Sequence, residues 1–291
     1  MHPLTATLLL VLLVLVLVKG VTYLLRWYEV TGAPDFSDPA PAARLRRLGA
    51  GVLPFLRECL ATAVTGVVWC VEVPLRPLLR RRPGADRPRP APPDRTPVIL
   101  VHGFSLTPWS LWFLRLALRR RGVGPLYLLD YHPMFGPIEG FAAQLAALVE
   151  RVAGDGENET PRPVDVVAHS MGGLVAARYM VDHPGRVRRL VAIGTPFHGT
   201  RLWAMSVGRS LPQMRPGSPF LTETVVRSGF PGAAALTSIH SRFDQIILPH
   251  TSSRVERDGV RNVEVGGLGH NALLLSPRVA REVLAALAAP P

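Results

Sequence analysis

Cysteine is scarce: Cys59 and Cys70 are the only 2 in 291 residues, which excludes a disulfide scaffold. On a helix the two would share a face, yet stand too far apart along the axis to bridge. They read as small apolar packing residues. Charged residues are only 19% against 48% hydrophobic, which excludes disorder as the main state. Lysine is nearly absent. Lys19 is the only one, so the excess of 33 Lys+Arg over 21 Asp+Glu, a net charge of +12, is carried by arginine. With 29 Pro and 26 Gly alongside, that bias reads as compositional rather than as a phosphate-binding face. No nucleic-acid partner is expected. Basic charge does suit an anionic membrane surface.

What is abundant is apolar sequence, unevenly spread. Leu8 to Val18 is an unbroken apolar run, and Leu4 to Leu25 spans 22 residues. As a helix this is roughly 33 Å long, enough to cross a bilayer core. Lys19 sits near its far end, where a lysine stem can snorkel, and Trp27 and Tyr28 follow at an interface position. The residues before the run carry no Lys or Arg and no small-x-small cleavage site follows closely, so an anchor fits better than a signal peptide. A second apolar stretch, Cys59 to Val71, extends back to Val52 across Arg57 and Glu58. It reads as a second span, an interfacial hairpin or a helix packed on the protein. Eight prolines and Arg80-Arg81-Arg82 between 74 and 97 describe a stiff linker. The organisation expected is a membrane-anchoring region over 1–73, a linker over 74–95 and a catalytic domain over 96–291. The positive-inside rule puts the catalytic domain on the cytoplasmic side, with an extracytoplasmic or secreted location as the alternative.

From Thr96 the pattern alternates. Short apolar runs at 97–101, 126–129, 164–168, 190–193, 245–248 and 262–265 read as strands. Stretches at 109–121, 138–152, 171–181 and 277–288 read as helices, with a Gly-rich acidic loop over 154–160. Such alternation predicts an α/β fold with a mostly parallel sheet and helices on both faces.

The chemical signal stands at the end of the third strand: Ala168-His169-Ser170-Met171-Gly172-Gly173. A strand that turns at once into a helix crowds the positions two before and two after the apex. Small residues there, Ala168 and Gly172, leave Ser170 exposed as a nucleophile. A serine needs a base and an acid to orient that base, following it in that order. His270 lies in a Gly-rich loop after the last strand and is the candidate base. Asp244 is the candidate acid, with Asp258 as rival; Asp258-Gly259 also reads as a plain turn. His169 should point away from Ser170 and act as support. The oxyanion hole is expected from the backbone amides of Met171 and Phe104, with Gly103 allowing close approach of the chain. No Cys/His cluster has metal-ligand spacing, so neither a metal nor a cofactor is expected.

Ala-His-Ser-Met-Gly-Gly, Val101-His102-Gly103-Phe104 and Gly194-Thr195-Pro196-Phe197-His198-Gly199-Thr200 together resemble the α/β-hydrolase lipases and esterases, above all the small bacterial lipases without a large lid. The segments around Asp244, Asp258 and His270 are similar to the end of that family. The resemblance covers roughly 96–289 and not the first 95 residues. It implies the α/β-hydrolase fold, a Ser170–Asp244–His270 triad, and hydrolysis of lipid or other carboxylic esters through an acyl-enzyme. Acyl transfer, thioester or amide cleavage on the same triad, and a non-catalytic membrane-bound scaffold, are the alternatives. The stretch 200–236, with Trp203, Met205, Met214, Phe220 and Phe230, is expected to be either an acyl-chain groove or lid, or local packing.

Overall fold

Six strands form one parallel sheet in the order β2-β1-β3-β4-β5-β6. They are β1 (Val98–Val101), β2 (Leu126–Leu129), β3 (Val164–His169), β4 (Val187–Ile193), β5 (Ala235–His240) and β6 (Arg261–Glu264). The computed structural model describes residues 17–26, 41–80, 90–92, 94–154, 162–227 and 235–289, with the backbone path alone at 41–50 and 76–80. The start of the first apolar run, Trp27, Tyr28, Arg81, Arg82, most of the acidic loop and Phe230 lie outside these residues.

The central strands β1, β3 and β4 are buried on both faces, and their side chains alternate between two cores, while β2 and β6 at the sheet edges are half-buried or exposed. Ile99, Val101, Val166, Ala168, Leu190 and Ala192 point to one side, where α4 (Ile138–Ala153) and α5 (Met171–Asp182) cover them. Val98, Leu100, Val167, Val191 and Ile193 point to the other, under α3 (Trp112–Arg120) and α7 (Pro277–Ala288). This period-2 division is why the strands read as continuous apolar runs. Asp165, at the start of β3, is buried and receives a two-pronged contact from Arg188 of β4, at 2.9 and 2.7 Å.

One expected strand is absent and another takes its place. Gln245-Ile246-Ile247-Leu248 is a loop, because the Asp244 carboxylate takes the amides of Ile246 and Ile247 (2.9 and 3.0 Å) that a strand would give to a neighbour. The strand lies earlier, at β5. Its buried Thr237 and Ser238 weaken the apolar signal, and Ser238 satisfies its hydroxyl on the Ser253 carbonyl (2.6 Å). The stretch after β4 forms short 3-10 turns, then α6 (Pro219–Leu221) and a π-helical turn Thr222–Arg227. Met214 and Phe220 from this stretch are buried in the core.

The N-terminal part forms an antiparallel helical pair. α1 is the described helix over residues 17–26, and α2 runs Pro41–Arg80, past residue 73 and through Pro74 and Pro77. Tyr23 meets Phe55 edge to face at 5.2 Å and donates to the Pro54 carbonyl, while Lys19 pairs with Glu58 at 2.8 Å. Lys19 is therefore buried rather than snorkelling. α2 lies against the turns Pro108–Leu111 and Ala272–Leu275, on the side where the carboxyl ends of the strands open. The window Gly51–Leu75 is long and apolar enough to cross a membrane, by length and composition.

Candidate active site

Ser170 stands between β3 and α5 with φ 54 and ψ −128, a left-handed backbone unusual for a residue with a side chain. Such strain costs on the order of 1–3 kcal/mol and persists only where its surroundings impose it. Here the Ser170 amide donates to the Ile193 carbonyl at 2.8 Å, fixing the elbow to β4. A Cβ on Gly172 would stand 2.5 Å from the His102 carbonyl oxygen, and one on Gly103 would stand 2.9 Å from the Ser170 Cβ. The two glycines let the loop after β1 close onto the elbow. That close packing is the physical reason for the spacing in the sequence.

Asp244 and His270 meet beside it. His270 Nδ1 donates to Asp244 Oδ2 at 2.7 Å, and both side chains are buried. Oδ1 of Asp244 is held by the two loop amides, so Oδ2 is left for the imidazole. Gly194, with φ +57, lies against the pair; a Cβ there would come within 3.2 Å of Asp244 Oδ2. Asp258 is exposed at the turn before β6 and is not part of this arrangement. His169 is fully buried, and its Nε2–H donates to the His270 carbonyl at 3.2 Å. Burial first, and the neighbouring His270 second, hold its pKa well below the ordinary imidazole value, so His169 is neutral.

The loop after β1 is shaped by Tyr131, a residue the sequence did not single out. Its hydroxyl shares its one proton between the carbonyls of His102 and Gly103, each at 2.9 Å, and its ring stacks on His102 at 4.0 Å. In a trans peptide the C=O and N–H point opposite ways. Turning the Gly103 carbonyl onto Tyr131 therefore turns the Phe104 amide away from it. The Met171 amide belongs to the first turn of α5, where amides have no partner within the helix.

Ser170 and His270 open into a cavity of about 430 Å³. Its apolar lining comes from Phe104, Leu106, Met134, Phe135 and Ile246 on the sheet side. The opposite wall is the helical pair: Lys19 of α1 and Thr62, Thr65, Gly66 and Trp69 of α2. The stretch 200–227 reaches only its rim, where Gly208 abuts Phe104 and Phe135. A helix packed on the protein is among the readings open for the second apolar stretch; that it walls the cavity has no local signal in the sequence. Among the described residues, no three His, Cys, Asp or Glu side chains come together in a way that could hold a metal ion.

A family model described as the alpha/beta hydrolase fold matches residues 157–238, the segment containing the elbow. A 2-hydroxy-6-oxo-2,4-heptadienoate hydrolase of Pseudomonas putida is 31% identical over 108 residues, which is 34% of this chain and 37% of that protein. Lipase B of Aspergillus fumigatus superposes with a TM-score of 0.59 at 21% identity, covering 68% of this chain and 55% of its own. A lipase of Bacillus licheniformis in its mature form gives a TM-score of 0.56 at 16% identity, covering 68% and 93%. The chain thus spans little more than half of the fungal lipase and about a third of the curated relative. With its parallel sheet, its strand-to-helix elbow and these likenesses, the chain is an α/β-hydrolase-fold protein that resembles lipases and esterases.

Proposed function

We propose that the protein is a membrane-associated serine hydrolase that cleaves carboxylic esters, lipid esters among them, through an acyl-enzyme. One observation carries the reading: a strained serine at a helix N-terminus opens into the same apolar cavity as a histidine oriented by a buried aspartate. In this reading His270 takes the Ser170 proton as the hydroxyl attacks the ester carbonyl. The amides of Met171 and Phe104 hold the oxyanion, and the N-terminal end of α5 adds favourable dipole charge. His270 then passes the proton to the leaving alcohol. A water attacks the acyl group by the reverse path and frees Ser170. Asp244 keeps the Nδ1 proton in place and stabilises the imidazolium. The apolar lining formed by Phe104, Leu106, Met134 and Phe135 suits the acyl chain. The outer face of the helical pair, with Leu53, Leu56 and Val67 exposed, suits a bilayer.

Ser170→Ala tests this reading. The expected result is loss of p-nitrophenyl ester turnover by at least about a thousandfold, with the fold intact by circular dichroism. A fluorophosphonate should label the parent protein and not the variant. Undiminished turnover by the variant overturns the assignment.

A further inference from the structure

Glu58 lies in the middle of the long apolar helix α2, yet its side chain has no exposure to solvent. Apart from a 3.3 Å donation from Thr62 Oγ1, one turn along its own helix, its partners lie outside α2. It points into the loop that carries His270. Its Oε2 accepts from the amides of Asn271 (2.9 Å) and Ala272 (3.0 Å). Its Oε1 accepts from Gln245 Nε2 (2.7 Å) and from Lys19 Nζ of α1 (2.8 Å). Gln245 in turn accepts from the His270 amide through Oε1 at 3.2 Å. One carboxylate therefore ties together the residue after Asp244 and the two residues after His270.

Two further observations show that the site is built to receive this side chain. A Cβ on Gly269 would stand 2.6 Å from Glu58 Oε2 and 2.7 Å from its Cβ, so only glycine lets the carboxylate reach the loop. The Asn271 side chain donates to Thr62 Oγ1, one turn further along α2, at 2.9 Å. The first helix completes the clamp from the other side. Arg26 Nε donates to the Arg242 carbonyl at 2.8 Å, and its guanidinium lies 4.5 Å from the centre of the Phe243 ring. The two helices thus grip the segment before Asp244 and the segment after His270.

We infer that Glu58, neutralised by Lys19, is a positioning residue that holds the His270 loop and Gln245, so the N-terminal helical pair is part of the catalytic apparatus and not only an anchor. A buried carboxylate is tolerated where charge and hydrogen bonds saturate it, and this one has both. Its interactions go to backbone amides next to the base. They fix where the imidazole stands rather than the chemistry it performs. Displacement of a base by about 1 Å can cost on the order of a hundredfold in rate. The inference rests on the ester-hydrolase reading, and its test is chosen to fail separately.

The test uses the full chain in detergent micelles, with Glu58→Ala and Glu58→Gln. Each is assayed on a water-soluble short-chain p-nitrophenyl ester. Rates are divided by the Ser170 sites titrated to completion with a fluorophosphonate, so an unfolded fraction does not enter the result. For Glu58→Ala, kcat per titrated site should fall by about tenfold or more, with KM within about twofold. Glu58→Gln retains an acceptor for the loop amides and should recover part of that loss. A kcat per site within about twofold of the parent in Glu58→Ala overturns the inference. So does a loss that appears mainly in KM, which marks a deformed cavity rather than a displaced base. If the parent itself neither labels nor turns over, it is the ester-hydrolase reading that fails.

Discussion

At the scale of single residues, burial decides what the histidines do. His169 is sealed beneath the loop that carries His270, and burial with the nearby His270 keeps it neutral. His240, at the end of β5, is also buried, and burial is the main cause that lowers its pKa. Both stay unprotonated in the folded protein at pH values where the unfolded chain takes up protons, which begins near about pH 6.5. Below that pH the unfolded state binds more protons than the folded one, so stability falls as pH falls. The thermal midpoint should therefore drop between pH 7 and pH 5. His240→Asn, at the end of a strand two places from β3 in the sheet, should make the slope shallower. A midpoint that holds level or rises toward pH 5 contradicts this account.

At the scale of elements, the site is an assembly of strand ends, and its legibility follows from how local each constraint is. The elbow was readable because its demand for small residues falls within a few positions of Ser170. His270 and Asp244 are readable as candidates because they stand in loops with strong composition, although the strand expected at 245–248, after Asp244, lies before it at Ala235–His240. β5 is hidden because Thr237 and Ser238 interrupt its apolar run, and Ser238 satisfies its hydroxyl on the Ser253 carbonyl, a contact that no periodicity records. Tyr131 was hidden for the same reason. It follows β2 in sequence, but its hydroxyl serves the loop after β1, a link visible only once the two strands are paired. Tyr131→Phe keeps the ring stacked on His102 and removes the shared donation. Gly103 keeps the Leu106 amide and His102 Nδ1 as neighbours of its carbonyl, so losing the hydroxyl should cost about 1 kcal/mol in stability. Ester turnover should fall several-fold as the Phe104 amide loses its fixed direction, with little change in KM. Measured kcat equal to the parent, in a folded variant, would separate Tyr131 from the oxyanion loop. Glu58 is the least legible of all, since its partners around Asp244 and His270 lie 187 to 214 positions away. The signal was nonetheless present: a carboxylate in one apolar helix and the sole lysine in another are each costly alone and tolerable as a pair.

At the scale of the whole molecule, the question is what the helical pair does with its two faces. The inner face is committed: Glu58, Thr65 and Glu72 are buried there, and Glu72 accepts the amide of Trp109 at 3.1 Å. The outer face is apolar and uncovered, with Leu56 at 56% and Val67 at 65% exposure. Exposed apolar surface of this extent on a helix that walls the cavity favours a bilayer as its neighbour, because the same helix then brings the cavity mouth to the lipid. Leu56 and Val67 do not line the cavity, so charge placed there bears on docking and not on chemistry. The double variant Leu56→Asp, Val67→Asp should lose partition onto anionic phospholipid vesicles by about tenfold or more in flotation. Hydrolysis of long-chain esters presented in those vesicles should fall in parallel. Turnover of a water-soluble short-chain ester in detergent should stay within about twofold. If vesicle binding is retained by the double variant, this outer face is not what holds the protein to lipid. If binding is lost while vesicle-borne esters are cleaved at the parental rate, substrate does not arrive from the membrane at all.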